Sequence, residues 1–520
     1  MESASVAGSA AVGSDEPIDK GLKKGSIGFL DGLSIGLAST APAYSLAAVI
    51  GSIAVLTGIH APGTLLLSFV PMFFIATAFL YMNRVDPDCG TTFSWVTRAL
   101  GPYAGWMGGW AISVTGILVI GSLADVSAFY IFDLLGLDEL KREGLARGAL
   151  ALGIMAVMTT ICVIGTEASA KLQRVLTLGQ VGVMLLFAVV AFIRLATGSA
   201  PDASISPELS WLSPFGEGVE YSGLLSGLLL GVFIYWGWES AVNLSEESED
   251  ERSAGLAGMV STIILLFTYI AVAVALIATA GLEKIERFDD NAGVLGNVAQ
   301  DVLGPLAFLV VVAIVVSGIS SAQTTILPGS RTSLSMAAAG ALPKKFAQIH
   351  PRFLTPDFGT ITIGVLAALW YAGASLISDN FLFDSLSALS LLIAFYYALT
   401  GIACAVYWRR ELLRSVKNFV FIGVAPVIGA LLLAYLLAAS AIEVGDPANS
   451  YTGQSVFGVG VPLAIALFFF LSGLVLMIAW RLFANTDYFS RRAFEAVPRD
   501  VAEGRRQVEA IGVSENEVPG

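Results

Sequence analysis

Apolar runs of about twenty residues recur along almost the whole chain, and they restrict its fold more than any other feature. A helix needs about 20 apolar residues to cross the hydrocarbon core of a bilayer. Twelve stretches meet that length: residues 26–56, 62–83, 103–135, 148–165, 174–197, 222–244, 254–281, 298–328, 359–377, 382–408, 419–440 and 458–481, numbered below as spans 1 to 12. Lipid offers no partner to a backbone N–H or C=O, so only helices or closed barrels cross it. Barrel strands read as short alternating segments, and these runs are too long and too uniformly apolar for that. The chain is therefore expected to be an all-α membrane protein with twelve transmembrane helices. Composition agrees, since only 13% of the 520 residues are charged, against about 25% in soluble domains.

The basic residues give the orientation. With the N-terminus inside, the even-numbered arrangement puts 22 of the 28 lysines and arginines on the cytoplasmic side, among them Lys20, Arg98, Arg331, Lys344 and Arg409. The outer loops hold Lys141, Arg142, Arg147, Lys284 and Arg287. Positive charge marks the cytoplasmic side, so both termini are expected there, in the cytoplasmic (plasma) membrane. Residues 1–25 lack the apolar core of a signal peptide and are expected as a disordered cytoplasmic tail, with residues 482–520 as a second tail. The net charge of −13 comes from acids in tails and loops, so no nucleic-acid partner is indicated. Three cysteines and two histidines have neither metal-ligand nor disulfide spacing, so no metal and no cofactor is expected. A membrane enzyme would need a nucleophile with a base or a metal cluster, and a channel would need charged rings or a repeated filter. The spans supply none of these.

Two spans are interrupted. In span 1, Gly36 to Ser45 reads G-L-A-S-T-A-P-A-Y-S, with a proline and three hydroxyls at mid-membrane depth. Proline removes a backbone hydrogen bond and clashes with the preceding turn, which leaves a kink or a binding site. In span 6, Phe233 to Ala241 reads F-I-Y-W-G-W-E-S-A, either a packing glycine with a glutamate at the wet end or a second break. Spans 1 and 6 are five apart, so the chain reads as inverted repeats over 26–197 and 222–408, with two additional helices over 419–481. Matching breaks in inverted halves point to a transporter's central site. Ionisable residues inside spans are functional by default. Here they are Asp31, a cap or gate, Asp125, a substrate-amine site or a partner of Arg194, and Glu239. A glutamate buried beside Trp238 is a candidate proton carrier.

Three motifs are similar to those of the amino acid–polyamine–organocation (APC) superfamily of secondary transporters. Gly237-Trp-Glu-Ser-Ala241 with Glu246-Glu247 resembles its G-x-E-S-A and paired glutamates. Arg331, then Ala339-Gly-Ala-Leu-Pro343 and Pro356, resembles its loop after span 8, and Leu100-Gly-Pro-Tyr103 with Gly105-Trp106 and Gly109-Trp110 resembles its entry to span 3. The similarity spans roughly residues 26–482. It implies a leucine-transporter-type five-plus-five inverted repeat with spans 1 and 6 discontinuous, and an amino acid or related amine held between them. On that resemblance Ser39, Thr40 and Ala41, with Tyr44 beside them, receive the substrate carboxylate. The backbone from Tyr235 through Gly237 takes the amino group, and Trp236 and Trp238 wall the side-chain pocket. Arg331 and Glu247, with Glu246, are expected inner-gate partners. Two positions depart from the pattern. Ser39-Thr-Ala-Pro42 replaces a glycine-rich turn, and Gln180 stands where proton-coupled relatives carry a lysine, so a proton cannot cycle there. Coupling to H+ through Glu239 and to Na+ both stay open. Sodium would use span-1 carbonyls around Gly36 with Ser317, Ser320 and Ser321, although serines also pack helices closely.

The expected function is secondary active transport of an amino acid or related amine by alternating access. The alternatives are another organic solute, such as a polyamine or a nucleobase, and substrate exchange. The expected partners are that small molecule and the lipid bilayer. Span 8 is expected to run on past residue 328 into a short basic re-entrant or interfacial segment.

Overall fold

A computed structural model describes residues 20–491 apart from 166, 217, 288–292, 377–379 and 485. Residues 1–19 and 492–520, which hold most of the two expected tails, lie outside that description. Among the described residues eleven helical runs are long and apolar enough to cross a membrane. The first, Phe29–Val85, is 57 residues long, enough for two crossings at about 20 residues each. It turns through a single 3-10 segment, Gly58–His60, into the helix Ala61–Val85. The chain is thus an all-α membrane protein. Its only strands among the described residues are the two-residue pair Ser455–Val456 and Val459–Gly460 near the start of the last helix.

Most spans fold close to where the apolar runs place them. Span 3 is the helix Pro102–Leu134, span 4 Gly144–Ile164, span 5 Glu167–Ala196, span 7 Ser253–Ala280, span 9 Asp357–Ser375, span 10 Asn380–Tyr407 and span 12 Val461–Phe483. Span 11 begins with a short turn of π-helix, Phe419–Val424, before the helix Ala425–Glu443. The most apolar stretch of span 3 is 94% buried and that of span 6 is 89%, whereas span 4 is 22% buried. Spans 3 and 6 therefore form the centre. The rim helices turn side chains such as Leu369, Leu431, Phe468 and Val475 outward, where lipid and not water is their neighbour.

Span 8 differs from expectation. Residues 298–303 belong to a separate helix, Val294–Leu303. Span 8 itself is the 31-residue helix Phe308–Ala338, which runs through Pro328 and Arg331 without a re-entrant turn. Arg331 is inside that helix and fully buried. The physical reason is a partner on another helix: Glu247 of span 6 neutralises the guanidinium at 2.9 Å.

Candidate functional site

The break in span 1 follows from one dipeptide. A residue before proline is disfavoured in the α region, and Ala41, before Pro42, leaves it altogether, with φ 49° and ψ 60°. The left-handed conformation costs a residue with a Cβ about 1–2 kcal/mol. The helix Phe29–Thr40 ends there, and a second helix, Pro42–Thr57, starts with proline in its first turn, where a missing N–H costs nothing. Span 1 is thus two half-helices meeting end to end. The break satisfies its own polar groups. The Thr40 hydroxyl donates to the Leu37 carbonyl at 2.8 Å and the Ser45 hydroxyl to the Thr40 carbonyl at 2.7 Å. The Ala41 N–H bonds Ala38, and the Tyr44 N–H donates to the Ser317 hydroxyl at 3.2 Å.

Span 6 breaks opposite. The helix Tyr221–Ile234 gives way at Gly237 to a 3-10 segment, Trp238–Glu247. Gly237 has φ 114°, and a Cβ built on it would lie 2.8 Å from the Ser39 carbonyl oxygen. Only glycine fits both conditions, and its bare backbone lets the two breaks touch. The Ser39 and Ser240 hydroxyls then bond at 2.7 Å, and the Ser321 hydroxyl of span 8 donates to the Ser39 carbonyl at 2.8 Å.

Where the breaks meet, a cavity of about 10 Å³ is lined by Ser39, Thr40, Ala41, Tyr44, Ser45 and Trp236, with Val119, Leu123, Phe233, Ser321 and Thr325. That is room for about one water molecule. Five of the eight substrate residues expected from the sequence line it. Gly237 packs behind Ser39. Tyr235 and Trp238 point elsewhere: Tyr235 packs between Phe69 and Tyr269, and Trp238 between Phe79 and Tyr397. Both rings are fully buried there. Val119 and Leu123 come from span 3, where the sequence pattern carries no mark to separate them from other packing residues. Tyr44 reaches the same helix through Ser122, hydroxyl to hydroxyl at 2.8 Å.

Glu239 is buried beside the cavity and does not line it. Tyr397 donates to Glu239 Oε2 at 2.6 Å, Tyr396 donates to Oε1, and the Gly237 N–H donates to Oε2 at 3.0 Å. Trp236, which lines the cavity, donates from Nε1 to the Tyr396 hydroxyl. A hydrogen-bonded chain therefore runs from a cavity wall through span 10 to a buried carboxylate. Neither tyrosine is among the site residues expected from the sequence. An adjacent Tyr-Tyr pair in mid-span was the one available signal.

The other expected positions scatter. Asp125 pairs with Arg147 at 3.0 Å and accepts from Tyr371 at 2.6 Å. Its expected partner Arg194 instead donates to the Asp301 carbonyl. Asp31 pairs with Arg174 of span 5 at 2.5 Å. Gln180 is buried with both amide atoms unpartnered. Arg331 and Glu247 do come together. Of the four sodium positions, Ser321 meets span 1 at the Ser39 carbonyl and Ser317 at the Tyr44 N–H. Ser320 is buried on the same helix. Gly36 packs against Ser261, Trp238 and Ala241, on the side of spans 6 and 7.

Comparison with known proteins is consistent with this layout. A family profile described as amino acid permease matches residues 33–471. An uncharacterized transporter of Mycobacterium tuberculosis is 26% identical over 446 residues, covering 84% of this chain and 89% of the relative. The branched-chain amino acid permease BcaP of Lactococcus lactis is 24% identical over 68% of this chain and 77% of its own length. The cationic amino acid transporter 3, mitochondrial, of Arabidopsis thaliana is 25% identical over 56% and 49% respectively.

Proposed function

Because the chain belongs to the amino acid permease family of the APC superfamily, we propose that it carries a neutral amino acid across the cytoplasmic membrane by alternating access, with the substrate between the breaks of spans 1 and 6. The observation that carries this reading is the lining of the cavity. It holds hydroxyls and apolar walls but no charged side chain, and Glu239, beside it, is committed to Tyr396 and Tyr397. The two half-helices of span 1 complement a zwitterion without any formal charge. The start of Pro42–Thr57 carries the positive end of a helix dipole and suits a carboxylate. The end of Phe29–Thr40 carries the negative end and suits an ammonium. Val119, Leu123, Phe233 and Trp236 then take an aliphatic side chain. A cationic substrate would leave its second charge in that apolar wall, which is costly.

The cavity at its present size is smaller than any amino acid, so binding requires the walls to part. In this reading the repeats at 26–197 and 222–408 move around the site, with residues 419–481 outside them and both termini cytoplasmic. Glu239 serves as the proton-linked group, reached through Trp236 and Tyr396, because Gln180 does not titrate. A thermal-shift screen of the purified protein tests the substrate class, since a ligand that binds only the folded state raises its melting temperature. Leucine, valine or alanine should raise it, and lysine, arginine and glutamate should not. A response confined to arginine or to polyamines would overturn the proposal. Repeating the screen with and without sodium tests whether that ion contributes.

A further inference from the structure

The end of the bundle where Arg331 lies buried is crossed by a segment preceding every span. Lys20 to Ile27 lies over spans 1, 6 and 8 and is fastened at both ends. At one end the Lys20 ammonium sits 2.5 Å from Glu246 Oε1 and 3.1 Å from Asp88 Oδ2, with its side chain only 5% exposed. Leu22 is buried with Cys89 and Leu334. At the other end the Ser26 and Ile27 N–H groups donate to the Glu247 carbonyl at 2.9 and 3.2 Å, and the Glu249 N–H returns to Ile27 at 2.9 Å.

The elements joined here are what matter. Asp88 lies in the linker between span 2 and the short helix Thr92–Leu100, and Glu246 lies in the 3-10 segment beyond the break in span 6. Glu246 also accepts from the Cys89 N–H at 2.9 Å. In the next residue Glu247 joins span 6 to span 8 through Arg331, with side-chain exposures of 1% and 0%. One ammonium therefore fastens the strap to the second half of span 6 and to the linker at once, alongside the buried pair that closes span 6 on span 8. A strap held only by packing would need Leu22 and the backbone bonds but no desolvated charge. Burying lysine is expensive unless it is paired, and immobilising its long side chain costs entropy as well.

From this juxtaposition we propose that Lys20 is a gating residue: held between Asp88 and Glu246, it latches the N-terminal strap across the cytoplasmic mouth, and its release accompanies inward opening. The inference rests on the transporter reading above. Removing the ammonium leaves two carboxylates facing each other, with the Arg98 guanidinium 3.8 Å from Asp88. The two carboxylates then repel each other, which pushes the linker and span 6 apart, and the strap loses its fastening, so the open mouth is favoured.

Cys89, buried inside the latch, reports the state of the mouth. With Cys162 and Cys404 replaced by alanine, N-ethylmaleimide labelling of the full-length protein reads Cys89 alone. Lys20→Gln should label at least roughly ten times faster, the factor a 1.4 kcal/mol shift in the closed–open balance sets. Lys20→Arg should stay near the wild-type rate, and Lys20→Glu combined with Glu246→Lys should return towards it. If Lys20→Gln is not recovered folded, Glu246→Gln removes one half of the latch and should speed labelling in the same direction. Wild-type labelling rates in a folded Lys20→Gln or Glu246→Gln protein would overturn the latch. Labelling needs no transport, so the two readings fail separately. Amino acid counterflow with unchanged labelling sinks the latch alone. Fast labelling of Lys20→Gln in a protein that gives no counterflow with any amino acid keeps the latch as a strap but sinks its role in transport.

Discussion

Glu239 is held by three donors, and their identity decides what the residue can do. Two are phenols from span 10 and one is the backbone N–H of Gly237, at the break itself. A change of charge on this carboxylate must therefore be felt at Gly237 and, through Tyr396, at Trp236 in the cavity wall. Glutamine keeps the shape and can still accept from one tyrosine, but it cannot gain or lose a proton near neutral pH. Glu239→Gln should flatten the dependence of uptake on pH between 5 and 8, and Tyr396→Phe should keep a pH dependence with roughly tenfold weaker substrate binding. The latter figure is what losing a buried hydrogen bond of about 1.5 kcal/mol implies. An unchanged pH profile in Glu239→Gln would remove this residue from coupling. Much of the chemistry at this scale is legible in the sequence. Gly237 and Glu239 stand out because a glycine and a carboxylate are out of place in an apolar run. Tyr396 and Tyr397 do not stand out, because their role exists only once span 10 lies against span 6, more than 150 residues away in the chain. Trp236 and Trp238 are indistinguishable in sequence, and the turn at Gly237 is what sends one to the cavity and the other to Phe79.

At the scale of elements, the break in span 1 is a balance that Pro42 tips. The left-handed Ala41 is unfavourable, and a continuous helix would regain a backbone hydrogen bond worth about 1 kcal/mol net. Proline forbids that helix by clashing with the turn before it. Pro42→Ala lifts the prohibition, so the half-helices should join, the end-on dipoles should vanish from the cavity, and the Ser39 carbonyl should no longer be free for Ser321. The two consequences have opposite signs: the melting temperature should hold or rise, and substrate affinity should fall at least about tenfold. Affinity and transport at wild-type level in this variant would show that the break is a passive kink. The boundaries of the elements were readable to within a few residues wherever apolarity decided them. Span 8 was not, because Arg331 reads as the start of a loop. An arginine inside a helix is tolerable only with a desolvated partner; the sequence pairs Arg331 with Glu247 as a gate beyond span 8, and the burial of that pair inside the helix exists only once spans 6 and 8 are side by side. The strap was missed for the same reason, since Lys20 and Leu22 look like tail residues and are buried only by contacts with residues 88–89, 246 and 334.

For the whole molecule, one face carries a dense set of charges that join elements from both halves, and its response to pH separates it from the central site. Burial alone would raise the Asp88 carboxyl, but Lys20 and Arg98, helped by the Gly90 N–H and the Ser94 hydroxyl, hold it well below the usual carboxylate range. Burial alone would lower the Lys20 ammonium, but Asp88, Cys89 and Glu246 hold it above the usual lysine range. A depressed carboxyl contributes stability that is complete above its unfolded value, about 3.9, and is lost as pH falls through the lower folded value. A raised ammonium contributes stability that is complete below its unfolded value, about 10.4, and is lost as pH rises through the higher folded value. Between those limits Lys20 and Asp88 keep their charges. Lys20→Gln should therefore lower the melting temperature by the same amount at pH 5.5 and at pH 8.5, whatever pH dependence uptake itself shows. A loss of stability that shrinks markedly at pH 5.5 would mean that the acids around Lys20 titrate in the physiological range. The strap would then be part of the proton-linked machinery itself, whereas fixed charges on Lys20 and Asp88 make it a latch indifferent to pH.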